Sequence, residues 1–296
     1  MMSEVDLHLH TNYSDGRLTP TQIVDLCANN GLRVISITDH DSTEGIPEAI
    51  KATSKYTQLT LIPGIELSTD VPSSEIHILG YYVNYQNAEF QTILQEFRGG
   101  REKRVREMVD KLNDLGILIS WDRVKELSDG GALGRPHIAQ AMVEAGYIEY
   151  PRDAFDKYIG RNGPAYAERS KMTPVDAIRL LVDNGALPVL AHPTYTIPTF
   201  DKNKINYLKV TLWNLKMEGL VGMEVYYGDY TIDQVKCLRS IADEIGLIPC
   251  GGSDYHASGN PGEPTPGSAG PSMDFLYKLK RLKFDSKERP NDMDIS

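Results

Sequence analysis

Cysteine is scarce in this chain and is not placed to work jointly. The three thiols, Cys27, Cys237 and Cys250, are widely separated, odd in number and form no C-x-x-C pair. They read as buried thiols of a reducing compartment rather than as a disulfide framework. Long apolar runs are also missing: no stretch approaches the roughly 20 residues that a membrane helix needs. The N-terminus passes from MMSE straight into VDLHLH, so no basic region followed by an apolar stretch marks a signal peptide. A cytoplasmic location without membrane contact is expected. Positive charge is in deficit, with 31 Lys and Arg against 41 Asp and Glu, a net −10. That balance argues against binding long nucleic acid through a broad basic face, since phosphate neutralisation supplies most of such affinity. A small phosphorylated substrate remains compatible, because a pocket that holds metal ions can be locally positive. No internal repeat, and no obligate protein partner, is evident.

What the chain does contain is an alternating pattern. With 296 residues, 41% hydrophobic and 24% charged, it suits one large soluble domain or one domain carrying an insertion. Short apolar runs alternate with helical stretches, which predicts α/β architecture. The predicted strands are Val5–His8, Val34–Thr38, Thr60–Glu66, Ile76–Tyr82, Leu187–Ala191, Gly222–Tyr226 and Leu247–Gly251. Thr19, Pro20 and Asn30-Gly31 delimit a first helix. Thr173-Pro174 and Asn184-Gly185 bound another, and a third runs from about Thr231 to Ile245 and stops at Gly246. The alternation breaks over 89–169, which reads as mainly helical: Arg101–Leu115, a shorter helix after Pro136 and one around Pro151–Tyr158. This segment is expected to be an inserted cap, with 1–88 and 170–285 forming the main domain. Ser258–Pro271, rich in Gly, Pro and Ser, is expected to be a loop, Phe275–Leu282 a helix, and 286–296 a disordered tail.

Six of the seven histidines fall at strand ends or just beyond them. His8 and His10 form an H-x-H pair, and residues two apart on a strand face the same side. Asp15 follows in NYSDG, His40 in ITDHD, Glu66 in PGIELS, and His77 opens the next strand. His192 ends another in VLAHP, and Asp254 and His256 lie in GGSDYH. In parallel barrels the rim where strands hand over to loops is where catalytic residues converge. Imidazole and carboxylate are ligands of zinc, manganese or iron. Six histidines with three carboxylates are too many for one tetrahedral ion and suit two or three.

These motifs resemble the PHP (polymerase and histidinol phosphatase) family. VDLHLHTNYSDG looks like its first motif, ITDHDS its second, VLAHP its third and GGSDYH its fourth, in order along residues 4–260. The resemblance implies a distorted seven-stranded (β/α) TIM-like barrel. Within the family the chain most resembles stand-alone phosphoesterases acting on nucleoside 3′,5′-bisphosphates and on 5′ ends of short RNA, because the GRPH-bearing insertion matches their cap. It further implies three ions: one on His8, His10, Glu66 and Asp254, a second on Glu66, His77 and His192, and a third on Asp15, His40 and His256. Hydrolysis would follow from a hydroxide bridging two ions, held by Glu66, Asp254 and His192, without a phosphoenzyme.

Arg135 and His137 in GRPH are the expected substrate contacts from the cap, since arginine presents a fork that fits phosphate. Lys171 and Asn260 are further substrate-contact candidates. Asp39 and Asp41 flank His40, where either could orient an imidazole and Asp41 could instead cap the next helix. The basic run Arg98–Arg106 reads as a solvated helix face. Two alternatives share the metals: a histidinol-phosphate phosphatase, and an amidohydrolase, whose usual bridge is a carbamylated lysine where Glu66 stands here. A third is a non-catalytic polymerase-associated module, against which the complete ligand set argues.

Overall fold

The computed structural model describes residues 2–71, 74–168, 172–197 and 199–285. Lys171 and the expected tail over 286–296 therefore lie outside the described residues. Seven strands carry the fold: β1 (Val5–Leu9), β2 (Val34–Ile37), β3 (Thr60–Val71), β4 (Ser74–Tyr81), β5 (Leu187–Leu190), β6 (Gly222–Tyr227) and β7 (Ile248–Gly252). They hydrogen-bond in sequence order as one sheet. The sheet curls until β7 returns to β1: Asp254 N–H donates to the His8 carbonyl at 2.9 Å, and His10 N–H donates to the Tyr255 carbonyl at 3.1 Å. Buried side chains from six strands, among them Val5, Val34, Ile62, Tyr81, Val189 and Cys250, pack together. Only the inside of a nearly closed barrel brings so many strands to one place. Leu276 and Leu279 join that cluster from α10 (Met273–Asp285).

The barrel is distorted in a way the strand pattern alone did not specify. β1, β2 and β3 pair in parallel, as do β5, β6 and β7, but β4 runs antiparallel to both neighbours. A parallel pair needs a crossover of a dozen or more residues, whereas the β3–β4 ladder pairs Val71 with Ser74. β4 therefore presents its N-terminal half to the rim where other strands present their C-terminal ends. β3 also continues past Glu66 to Val71, so Glu66 lies within its strand and not at its end.

Helices flank the sheet where local signals place them. Thr19 caps α1 (Pro20–Asn29) by accepting the Gln22 N–H, while the Gln22 side chain accepts the Thr19 N–H at 2.8 Å. Thr231 and Gln234 repeat the device at α9 (Ile232–Ile245), which ends on Gly246 at φ 75°. Thr173 starts α7 (Pro174–Asp183). Two helices lack an equally legible pattern: α2 (Ile46–Thr53) is short, and α8 (Lys202–Met217) buries only Leu208, Leu212 and Leu215. Of the thiols, Cys27 and Cys250 are buried, but Cys237 on α9 is half-buried, because it lies beside rather than on the stripe Leu238, Ile241, Ala242 and Ile245.

The inserted stretch contains α3 (Ala88–Asp114), α4 (Trp121–Leu127), α5 (Arg135–Glu144) and α6 (Pro151–Ala154), the last continuing as a π turn over Phe155–Ile159. α3 extends much further upstream than its charged half indicated. Its Phe90 and Leu94 pack on the barrel side, whereas Val105, Met108, Val109 and Leu112 join a cluster built wholly from residues 105–167. The basic run on α3 is not a solvated face throughout. Arg101 and Arg104 are buried, three residues apart on the side turned to the barrel, while Glu102, Lys103 and Arg106 are exposed.

Barrel closure depends on a missing side chain. A Cβ on Gly252 of β7 would come within 2.4 Å of the His8 nitrogen and 2.6 Å of the His8 Cβ. Gly252→Ala should therefore lower the unfolding free energy by about 1–3 kcal/mol, the usual cost of overpacking. Gly99→Ala on α3, where an added Cβ meets nothing within 4 Å, should be neutral or stabilising by about 0.5–1 kcal/mol. Urea denaturation of both variants checks the contrast.

Candidate metal centre

Six of the seven strands, or the residues that follow them, deliver polar groups to the same mouth of the barrel. β1 supplies His8 and, just beyond it, His10; its pairing with β2 slips between Asp6 and Leu9, the kind of irregularity that re-aims side chains. The loop after β1 supplies Asp15, the residues after β2 supply His40, and β3 supplies Glu66. A bridge between His40 and Glu66 prolongs the β2–β3 ladder, with the Glu66 N–H donating to the Asp39 carbonyl at 3.2 Å. β4 supplies His77, which reaches the rim because that strand is reversed. His192 follows β5, and Asp254 and His256 follow β7. All nine side chains expected at the site are thus brought together.

Glu66 is the hub. Its Oε2 lies 3.1 Å from His8 Nε2, 3.2 Å from His10 Nε2 and 3.2 Å from His40 Nδ1. Its Oε1 lies 2.8 Å from His77 Nδ1 and 3.0 Å from His192 Nε2. Asp254 Oδ1 is 3.1 Å from both His8 Nε2 and His10 Nε2. On the far side Asp15 faces His256 Nε2 at 3.2 Å and His40 Nε2 at 3.6 Å.

Among the described residues, three groups of side chains fall within ion-holding reach: His8, His10, Glu66 and Asp254; His10, Asp15, His40 and His256; and His40, Glu66 and His77. The first agrees with the set expected from the resemblance. The others differ in that His10 joins the Asp15 group and His40 stands beside Glu66 and His77, with His192 approaching the same carboxylate from its other flank.

The donor atoms fit a divalent cation. Ligands bound at about 2.0–2.2 Å to one ion lie about 2.9–3.5 Å from each other in tetrahedral or octahedral arrangements. The first group has that spacing. Moreover His10 Nε2, Asp15 Oδ1 and Asp254 Oδ1 are buried without a hydrogen-bond partner, although each lies beside an oppositely charged or polar neighbour. Lone pairs that converge on a shared point, rather than on one another, leave such orphans.

Electrostatics in the ion-free cluster follow from the packing. Burial opposes the charge of Glu66, but the imidazoles of His40, His8 and His77 outweigh it and hold the carboxyl well below its ordinary range. Asp15 is lowered against its burial by His40 and His256, and Asp254 by His8 and His256. Against its own burial, His8 is held protonated well above the usual imidazole range by Asp254, Glu224 and Glu66. Asp15 and Asp254 push His256 up to about 10 despite burial. His40 goes the other way, to about 3, because burial dominates there and Arg101 and His10 add to it.

The surroundings include residues that sequence reasoning missed. Glu224, buried in β6, lies 3.0 Å from His8 Nδ1; its one signal was a lone carboxylate inside the apolar run GMEVYY. Arg101 donates to Asp41 at 2.6 Å and also to the Ser68 hydroxyl, and with Arg104 it lines a cavity of about 150 Å³ beside His40 and His77. The three-residue spacing put both arginines on one helix face, but nothing in the sequence said which face is inward. Tyr195 sits with its ring 4.4 Å from that of His192, and the Tyr227 hydroxyl donates to Asp254 at 2.8 Å.

Neither Asp39 nor Asp41 caps α2, whose N-cap is Gly45. Asp39 accepts from the Thr11 N–H and hydroxyl and from Ser14, which shapes the Asp15 loop; Asp41 accepts from the Ser68 N–H and Arg101. Arg135 opens α5, stacks over the Phe155 ring at 5.4 Å, and lines both the small cavity and a second one of about 430 Å³. Asn260 lines the second cavity and accepts the Arg152 N–H at 3.3 Å. His137 is buried, and its Nδ1 accepts the Gly134 N–H at 3.0 Å while the Ser14 backbone forms a further bond to the ring. It thus ties the insertion to the Asp15 loop.

Comparison with known proteins agrees with this geometry. The family model described as the PHP domain matches residues 6–102. A 3′,5′-nucleoside bisphosphate phosphatase of Chromobacterium violaceum is 30% identical over 88% of this chain and 90% of its own. A 5′-3′ exoribonuclease of Haemophilus influenzae is 32% identical over 86% of this chain and 91% of its own. A solved structure of an amidohydrolase from Chromobacterium violaceum, with bound sulfate and no metal, superposes with a TM-score of 0.85 at 27% identity, covering 95% of this chain and 97% of that one. No helix among the described residues is long and apolar enough to cross a membrane. From 30–32% identity over 86–91% of both chains, and from motifs that meet at one barrel mouth, the chain belongs to the PHP family of phosphoesterases.

Proposed function

We propose that the protein is a metal-dependent hydrolase of phosphate monoesters on small nucleotides, of the nucleoside 3′,5′-bisphosphate type, with short 5′-phosphorylated RNA as a further substrate. The observation that carries this reading is the meeting of six imidazoles and three carboxylates, Glu66 among them, at one mouth of the barrel. His8, His10, Glu66 and Asp254 would hold one ion, Glu66, His77 and His192 a second, and Asp15, His40 and His256 a third. When bound, two or three divalent ions of manganese, iron or zinc supply Lewis acidity and an activated water for attack on phosphorus.

The chain's own residues do the rest. Glu66, Asp254 and His192 hold the reacting end of the site, and Glu66 offers one oxygen to each side of it. Arg135 is placed between the two cavities, where its planar fork can pair with a phosphate. Arg101 and Arg104 add fixed positive charge to the smaller cavity, which favours a phosphorylated ligand in a chain of net charge −10. The larger cavity, about 430 Å³ and within the roughly 300–1,000 Å³ range of small-molecule sites, offers Phe155 and Tyr195 as apolar surfaces for a nucleoside. Residues 89–169 act as a cap that shields the reacting centre from bulk water, and His137 and Asn260 fasten it to the barrel loops. Among the described residues no lysine lines either cavity, which supports phosphoester rather than carbamylated-lysine amidohydrolase chemistry. The free thiols support a reducing, cytoplasmic setting.

Three measurements test the proposal. A phosphate-release panel with added manganese should show adenosine 3′,5′-bisphosphate turned over much faster than histidinol phosphate, with activity abolished by chelation and restored by metal; preference for histidinol phosphate would reverse the substrate reading. Arg135→Ala should raise KM for phosphorylated substrates about 10–100-fold, the scale of a lost charged hydrogen bond, while metal content stays unchanged. Ion uptake should release protons at pH 7, because His8 and His256 are protonated in the ion-free cluster and must give up a proton to ligate. Affinity should accordingly weaken as pH falls from 8 to 6, which calorimetric titration in two buffers of different ionisation enthalpy reads directly.

A further inference from the structure

Behind the cluster lies a carboxylate to which the assignments above give no task. Glu224 is fully buried, and the pairing of β6 with β7 slips between Glu224 and Tyr226. Its two oxygens serve two different partners: Oε1 lies 3.0 Å from His8 Nδ1, and Oε2 accepts the His192 N–H at 2.7 Å. Those partners stand on opposite flanks of Glu66, His8 against its Oε2 and His192 against its Oε1. His192 holds φ 24°, a left-handed conformation that a non-glycine residue keeps only where its surroundings impose it. We infer that Glu224 is a positioning residue that fixes the ring of His8 and the backbone of His192 together, and so governs the affinity of both ion positions sharing Glu66. The inference rests on the metal reading above.

The argument is one of donors and acceptors. An imidazole that donates from Nδ1 leaves the Nε2 lone pair for a metal. The His192 amide is a donor in every state, and His8 must be a donor at Nδ1 if its Nε2 is to ligate. Two donors require two acceptor oxygens, which a carboxylate has and a carboxamide lacks. Glutamine at this position keeps the shape but must turn its NH₂ group towards one partner. Turned to His8, it forces Nδ1 to accept and places the proton on Nε2, where the ion should bind. Turned to His192, it sets two donors face to face.

Glu224→Gln should therefore bind Mn²⁺ about 10–100-fold more weakly than the unaltered protein, the range seen when a partner of a ligating histidine is removed. Calorimetric titration of the ion-free proteins reads this without reference to turnover. Activity of the variant should recover at high Mn²⁺, with the metal requirement rather than substrate KM shifted. Equal Mn²⁺ affinity in both proteins would overturn the inference, whereas failure of the unaltered protein to bind Mn²⁺ would overturn the metal reading itself. Should the variant not fold, ¹⁵N-histidine NMR of the zinc-loaded unaltered protein decides the matter. A protonated, exchange-protected Nδ1 on His8 is expected, and an unprotonated one would refute the role.

Discussion

A carboxylate buried among five imidazoles is the interaction on which this structure turns. Glu66 is buried from bulk solvent, and its charge is held by His8, His10, His40, His77 and His192, each within 3.2 Å. An arrangement of that density is costly as bare protein, because burial disfavours every charge in it. It becomes reasonable when divalent cations take the place of protons. The orphaned atoms of His10, Asp15 and Asp254 fit the same explanation. Fold and chemistry meet here: a site that requires cations is also a site that attracts phosphate.

The scaffold solves the problem of bringing these groups together with one departure from regular barrel architecture. In an all-parallel sheet, ligands come from C-terminal strand ends only. The antiparallel β4 offers its first half to the same rim, so His77 can meet Glu66 across a hairpin whose register pairs Ser68 with His77. The insertion then lies over the mouth, fastened by Arg101 to Asp41 and Ser68, by the Ala132 N–H to the Tyr13 carbonyl, and by His137 at the Asp15 loop. Several of these anchors reach the loops that carry Asp15 and His40, so cap and metal cluster are mechanically one unit.

How much of this was legible in the sequence varied with the range of the interaction. All seven strands were, because buried strands declare themselves as short apolar runs between turn residues. The helix starts at Thr19, Thr173 and Thr231 were legible for the same local reason. α8 was not, because a stripe of three leucines among asparagines and lysines has weak periodicity. The nine side chains of the cluster could be named individually, since histidine and aspartate at strand ends stand out against apolar neighbours.

Strand pattern and residue placement pointed, without any coordinates, to α/β architecture with metal-binding side chains at strand ends, and the family resemblance of the motifs implied the barrel. Tertiary structure decided who touches whom. Which face of α3 turns inward, and hence that Arg101 and Arg104 are buried rather than solvated, depends on packing between elements far apart in the chain. So does the reversal of β4, the sharing of His10 and His40 between groups, and the place of Glu224 behind His8, 216 residues away. Local patterns record what a residue can do; only closure of the sheet brings distant donors and acceptors within the roughly 2.7–3.2 Å at which hydrogen bonding acts.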